Sequence, residues 1–347
     1  MKTLKRLAIF LIPAGLLVTS CEGPMGPTGA DANASCTECH NNSANVETKE
    51  AQWEESVHAR GENAAYANRT GCVQCHTSQG FLEAVAEKST ADISVPTDPQ
   101  QINCYTCHEI HSTYTADDFK LTKPGAEKLE VKYAGADVTW DKGNSNQCVA
   151  CHQARAVTPA PVANGADFAI TNTRMGPHHG PNANLILGKM PFELAGAAYP
   201  SGNPHSSPEG CIDCHMAKPY GYLAGGHNMG MSYDAHGVET LNTTGCLECH
   251  KSESATSITT KYTTLKTSVN GKLAVLRSQL TAAGIYNPST GLAKAGTFKA
   301  NAVIAYLTYN TIAEDRSNGM HNPGYSKVML DNAITTMTGL GYPATAN

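Results

Sequence analysis

Six stretches of this chain read C-x-x-C-H, and they hold most of its reactive side chains: Cys36, Cys39 and His40; Cys72, Cys75 and His76; Cys104, Cys107 and His108; Cys148, Cys151 and His152; Cys211, Cys214 and His215; Cys246, Cys249 and His250. They use twelve of the 13 Cys and six of the 14 His. Random order at this composition would give roughly 0.02 such motifs, so six are not coincidence. Two thiols three residues apart with a His directly after them form the attachment signature of haem c. The sulfurs bond to the two vinyl groups of one porphyrin, and the imidazole ligates its iron. Zinc and disulfide frameworks also use paired cysteines, but neither explains a His after every pair. The sequence thus calls for six covalently bound haem c groups, with His40, His76, His108, His152, His215 and His250 as proximal ligands.

Six irons with two His ligands each need six more imidazoles, and eight remain: His58, His111, His178, His179, His205, His227, His236 and His321. His111 follows His108 by three residues, a reach of about 10 to 11 Å at full extension. That falls short of clamping one iron from both faces, so His111 is expected on a neighbouring haem. Adjacent His178 and His179 cannot both serve one iron. Met175, Met216, Met229, Met231 and Met320 are the rival ligands, and Met/His ligation would raise the reduction potential; with His in surplus, they are read as packing against porphyrin faces. No residue is assigned a catalytic role.

The elements that must position these groups are less regular. The first cysteines of successive motifs are 36, 32, 44, 63 and 35 residues apart, which excludes a fixed-period solenoid. In the 44-residue interval, Leu129, Val131 and Tyr133 alternate before a Gly-containing turn and a second piece at 137–141, the pattern of a β-hairpin. The 63-residue interval reads mostly as loop, with a short apolar piece at 185–187. Beyond His250, Ile258, Tyr262, Leu265, Val269, Leu273, Leu276 and Leu280 recur at helical steps. A second helix is expected over about 297–315, with Phe298, Ala302, Ala305, Tyr309 and Ile312 on one face, and a third over about 325–340. Aromatic residues make up 6% of the chain, thin for ordinary cores of this size. Six flat apolar haems, one per about 55 residues of mature chain, are expected to form the core instead.

At the N-terminus Lys2, Lys5 and Arg6 precede a 12-residue apolar run, 7–18, too short to span a bilayer and typical of a signal segment. The run ends Val18-Thr19-Ser20-Cys21, which resembles the lipobox of bacterial lipoproteins, with Cys21 as the lipidated residue; Glu22 after it resembles lipoproteins sorted to an outer membrane. The division read from the sequence is 1–20 signal peptide, 21–35 lipid-anchored Gly/Pro tether, 36–250 hexahaem domain and 251–347 C-terminal helical region packing on the haem domain. Without the signal segment 22 Lys and Arg face 30 Asp and Glu, a net charge of −8, which argues against nucleic acid as a partner.

Several segments resemble the multihaem c-type cytochromes, in particular the superfamily of pentahaem nitrite reductase, octahaem oxidoreductases and the tetrahaem cytochrome of ammonia oxidation. Trp53 to Ala59 is similar to its W-x-x-S-x-H-A element. GCVQCHTSQGF (71–81) is similar to one of its haem motifs. CHEIH (107–111), MGPHHGPNANLILG (175–188), GGHNM (225–229) and DRSNGMHNPGY (315–325) are similar to its other distal-ligand segments. The resemblance implies distal ligation by His58, His111, His227 and His321 with one or both of His178 and His179; His205 is the sixth choice and His236 the spare. It implies a mainly α fold with extensive loops, organised around six haems, with one small β-hairpin and a C-terminal helical bundle. The nitrite reductases carry a haem motif ending in Lys, which is absent here, so their chemistry does not transfer directly. The expected function is electron transfer through mostly bis-His low-spin haems between membrane or periplasmic donors and a terminal or extracellular acceptor. Two alternatives are an oxidoreductase with one open haem acting on a small nitrogen or sulfur compound, and a subunit of a cytochrome filament. Expected partners are quinol-linked or other cytochromes, the membrane through the lipid anchor, and further copies of the chain. The expected location is that of an exported lipoprotein of the outer membrane, facing periplasm or cell surface.

Overall fold

The computed structural model describes residue 40 and residues 44–61, 63–86, 92–206 and 210–344. The signal segment, Cys21, the tether, Cys36 and Cys39 lie outside the described residues.

Short helices carry or flank the C-x-x-C-H motifs. In chain order they are α1 (Ala44–Glu54), α2 (Val57–Arg60), α3 (Thr70–His76), α4 (Ser78–Val85), α5 (Cys104–Cys107), α6 (Asn146–Val149), α7 (Asn182–Leu187), α8 (Cys211–His215) and α9 (Thr244–Cys249). Both cysteines of a motif lie on one helix in α3, α5, α8 and α9. Residues three apart share a helix face, so one turn of chain presents both thiols to the same side. The turn of α5 is fixed by Asn103, whose side chain accepts from the Tyr105 amide while Thr106 Oγ1 accepts from the Asn103 amide.

Among the described residues strands are short and form four two-stranded antiparallel sheets, not the single hairpin expected. That hairpin is present as β1 (Glu127–Lys128) and β2 (Thr139–Trp140), with Glu127 opposite Trp140. Leu129, Val131, Val138 and Trp140 are buried beneath it. The others are β3 (Phe168–Ile170) with β8 (Gly296–Phe298), β4 (Ser232–Ala235) with β5 (Val238–Leu241), and β6 (Tyr286–Asn287) with β7 (Leu292–Ala293). Strands of two to four residues are too short to show alternation, and β3 and β8 meet across the whole C-terminal half without a shared turn. The interval read as loop also contains α7.

Three long helices follow: α10 (Ala255–Ala282), α11 (Ala300–Asp315) and α12 (Pro323–Gly339). They lie close to the expected spans, α11 starting later because Thr297 and Phe298 are taken up by β8. Instead of one apolar face, α11 is buried on nearly every side, Val303, Ile304, Ala305, Tyr306 and Leu307 in succession. It is sandwiched between its two helical neighbours and the 170–194 segment, in one cluster with Ile170, Met175, Leu185, Met190, Phe192 and Leu194. The expectation that haems alone fill the interior therefore needs correcting. Aliphatic side chains build a conventional core at this end despite the few aromatics.

Candidate haem-binding site

One continuous cavity of about 3140 Å³ runs through the motif-bearing part, faced by all ten cysteines of the five described motifs and by every His except His236. Shared among six sites it is about 520 Å³ each, within the roughly 300–1,000 Å³ typical of cofactor-sized pockets.

Across this cavity each motif His faces one other His. The ring centroids are 6.0 Å apart for His40 and His111, 6.1 Å for His58 and His152, 6.1 Å for His76 and His178, 6.3 Å for His108 and His227, 6.5 Å for His205 and His250, and 6.2 Å for His215 and His321. Metal–imidazole bonds are about 2 Å long, so two rings on opposite sides of one ion have centroids roughly 6 Å apart. Among the described residues no three His, Cys, Asp or Glu side chains converge as a closed zinc site would require. The arrangement fits an ion that would be held between two imidazoles, one from a motif and one facing it. His111 faces His40 and not its near neighbour His108. His179 faces no motif His; it ion-pairs with Glu314, whose hydrogen bond raises its pKa. His236 sits exposed at the β4–β5 turn.

Burial lowers the basicity of several of these imidazoles. His58 is brought down to about 4 by burial and then by His152 and His215. His178 also falls to about 4 by burial and the adjacent His179, and His227 to about 4 by burial and His108. His152 and His215 are lowered by burial too. Neutral imidazoles keep the lone pair that metal ligation needs.

Local structure explains the quoted segments. Ser56 caps α2 by accepting from the Ala59 amide, which fixes the turn carrying His58, and the Trp53 indole donates to the Ile102 carbonyl. Buried Gln52 accepts from the His227 amide at 3.0 Å and donates to Gly221 O. A Cβ on Gly226 would stand 2.4 Å from Gln52 Oε1, so only glycine lets that loop close on α1. His111 has φ 60°, the left-handed region, and Asp118 holds it there by accepting from the His111 and Thr113 amides and the Ser112 hydroxyl. Burial would raise the Asp118 carboxyl, but these hydrogen bonds outweigh it and bring it down to about 2. Asn322 caps α12 and donates to the Leu185 carbonyl, seating His321 against α7. Gln52, Asp118, Asn182 and Asp315 escaped the sequence reading, although the last two lie inside segments quoted for their His.

Contacts between motifs set the order of the pairs. The side chains of Cys75 and Cys151 lie close together, as do those of Cys148 and Cys211. Cys107 neighbours Cys148 and Cys151, and Cys214 neighbours Cys246 and Cys249. Gly245 lets α9 lie directly on α8, since a Cβ there would be 2.6 Å from Asp213 O. Arg155 ties the second motif to the segment after the fourth by donating to Gly71 O at 2.9 Å. The fourth motif is thus a hub touching the second, third and fifth. His58, His215 and His321 are part-buried and His152 sits among packed chain with its ring open to the cavity, while His40, His111, His205 and His250 are exposed.

Among solved structures, the chain is similar to an outer cell wall cytochrome, OcwA, with a TM-score of 0.51 and 20% identity over 83% of this chain and 50% of that one. The likeness is one of fold. It is also similar to an undecahaem cytochrome from the S-layer of Carboxydothermus ferrireducens, with a TM-score of 0.47 and 18% identity over 84% of this chain and 41% of the other. The chain spans about half the length of the first and less of the second. No protein-family model and no curated protein matches it. Among the described residues no helix is long and apolar enough to cross a membrane.

Proposed function

We propose that this chain is an electron-transfer protein that binds six haem c groups, each held by the two cysteines and the His of one motif and by the His that faces it. The observation that carries this reading is the set of six facing His pairs, which gives every motif His a partner at the spacing of two axial ligands. Haems bound there would supply reversible one-electron chemistry at six neighbouring irons. The protein's part is to hold the His pairs in contiguous order: His40/His111 beside His108/His227, then His58/His152, His215/His321 and His205/His250. The His76/His178 pair branches off at the fourth motif. Exposed pairs lie at both ends of the main line, where redox partners can approach. Because every motif His has an intramolecular partner, the carrier reading is favoured over an enzyme with an open iron and over a filament whose subunits cap one another. The sequence further supports export and lipidation at Cys21. The outer cell wall setting of the similar cytochrome fits a surface location, with other cytochromes as partners.

Pyridine haemochrome analysis of the exported protein is expected to give six haems per chain, and electron paramagnetic resonance to show only low-spin ferric iron. The reduced protein is expected to leave carbon monoxide unbound. Fewer than six haems, or a high-spin signal with carbon monoxide binding, would refute the bis-His assignment.

A further inference from the structure

Asp315 is the last residue of α11, and its side chain is 1% exposed. It accepts a hydrogen bond of 2.6 Å from Nδ1 of His321, one of 2.9 Å from Asn182 Nδ2 and another from the Ser317 hydroxyl. Other axial candidates donate to neutral oxygens: His108 to Phe119 O, His215 to Met229 O and His205 to Met320 O, each at 2.7 Å, and His152 to Asn182 Oδ1 at 3.1 Å. Asn182 therefore stands between two imidazoles with different partners. Its amide oxygen faces His152, and its amide nitrogen faces the carboxylate that holds His321.

We infer that Asp315 tunes the His215/His321 site, lowering its reduction potential below that of the adjacent His58/His152 site; the inference rests on the haem assignment above. A carboxylate on the far nitrogen draws the imidazole proton toward itself and makes the ligating nitrogen a stronger donor. Ferric iron carries one more positive charge than ferrous, so the stronger donor and the nearby negative charge both favour the oxidised state. Reduction adds one electron to the iron, and the proton stays between Nδ1 and the carboxylate. What distinguishes the two sites is the partner of the far nitrogen, a carboxylate at His321 and a neutral amide oxygen at His152. An electron on the main line then meets a step at the fifth motif and rests preferentially at the hub, where the branch begins.

The test compares full-length, haem-loaded wild type with Asp315→Asn and Ser317→Ala by haem count, electron paramagnetic resonance and a stepwise spectroelectrochemical titration. Asp315→Asn keeps the shape and removes the charge. One of the six one-electron steps is expected to move to higher potential by at least tenfold in its equilibrium constant, about 59 mV. The same iron is expected to show the altered low-spin ferric signal. Ser317→Ala removes a donor from the carboxylate and is expected to move that step a smaller distance the opposite way. If all steps stay in place in a six-haem Asp315→Asn protein, the inference is overturned; if that variant fails to load, an unmoved step in Ser317→Ala overturns it. A wild type with fewer than six haems would instead remove the assignment beneath it.

Discussion

The two ends of this molecule fill their interiors by different means. In α10 to α12, side chains pack on one another: Val269, Leu276, Leu280, Leu307, Tyr325, Ala333 and Met337 are each fully buried. In the motif-bearing part the packed clusters are small, one around Trp140 and Val149 and another around Val73 and Ile93. Tyr105, Tyr114 and Phe119 are 46%, 58% and 45% exposed there, grouped around His108 and His111. One end satisfies the hydrophobic effect within the polypeptide, and the other leaves apolar and aromatic surface around a large cavity.

The strongest way to break that contrast is to withhold the haem proposed for one motif. With Cys148→Ala and Cys151→Ala together, the hub motif loses its covalent attachment. Amide exchange over 44–250 is expected to accelerate by orders of magnitude, and α10 to α12 to change far less. Equal loosening at both ends would show that the helices draw their order from the haems too. Leu307→Ala is the converse, a void in side-chain packing that is expected to cost about 2–5 kcal/mol in denaturant unfolding with the haem spectrum unchanged. Gly245→Val forces α9 off α8 and is expected to cost about 1–3 kcal/mol, read as faster exchange around the fifth and sixth motifs. Ser56→Ala removes the cap beneath His58 for about 1 kcal/mol, with the ferric signal of a single iron altered.

The smallest effect sits where the two ends meet. Lys266 on α10 donates to Glu239 on β5 at 2.6 Å, and that hydrogen bond holds the Glu239 carboxyl below its usual range. The pair is partly exposed and contributes 0 to about 1 kcal/mol. With the folded pKa depressed, this contribution is present above the ordinary Glu pKa of about 4.3. It is lost as pH falls through the lower folded value. Lys266→Ala is expected to flatten that part of the stability–pH curve and to leave the neutral-pH spectrum unchanged.

Periodicity made α10 to α12 legible because each repeats its apolar residues over several turns, as Leu265, Val269, Leu276 and Leu280 do. The motif helices could be placed because a covalent chemistry dictates their spacing. The β3–β8 pairing left no local trace, since Phe168 and Phe298 meet only through tertiary structure. The facing of His40 with His111, or of His108 with His227, is likewise a property of the folded cavity: counting showed that enough imidazoles exist, and spacing excluded one pairing, but the rest needed coordinates. Asp315 and Asn182 were invisible for another reason. A buried carboxylate and amide become informative only once the imidazoles beside them are seen.

The facing His pairs also bear on how the chain is made. They join positions from 45 to 119 residues apart, and their loops interlock: 40 to 111, 58 to 152, 76 to 178, 108 to 227, 205 to 250 and 215 to 321. An ion held between two such residues acts as a crosslink whose closure costs more entropy the longer the loop. In a chain exported from its N-terminus, as proposed, His58 would emerge before His152 and His205 before His250, so the irons proposed there would find their second ligand waiting. At the other four pairs the motif comes first, and an iron attached there would stay singly ligated until distant chain arrived. On the proposed pairing the last knot is tied at His321, beyond α11, so a chain interrupted before α11 would carry all six motifs and still lack that closure.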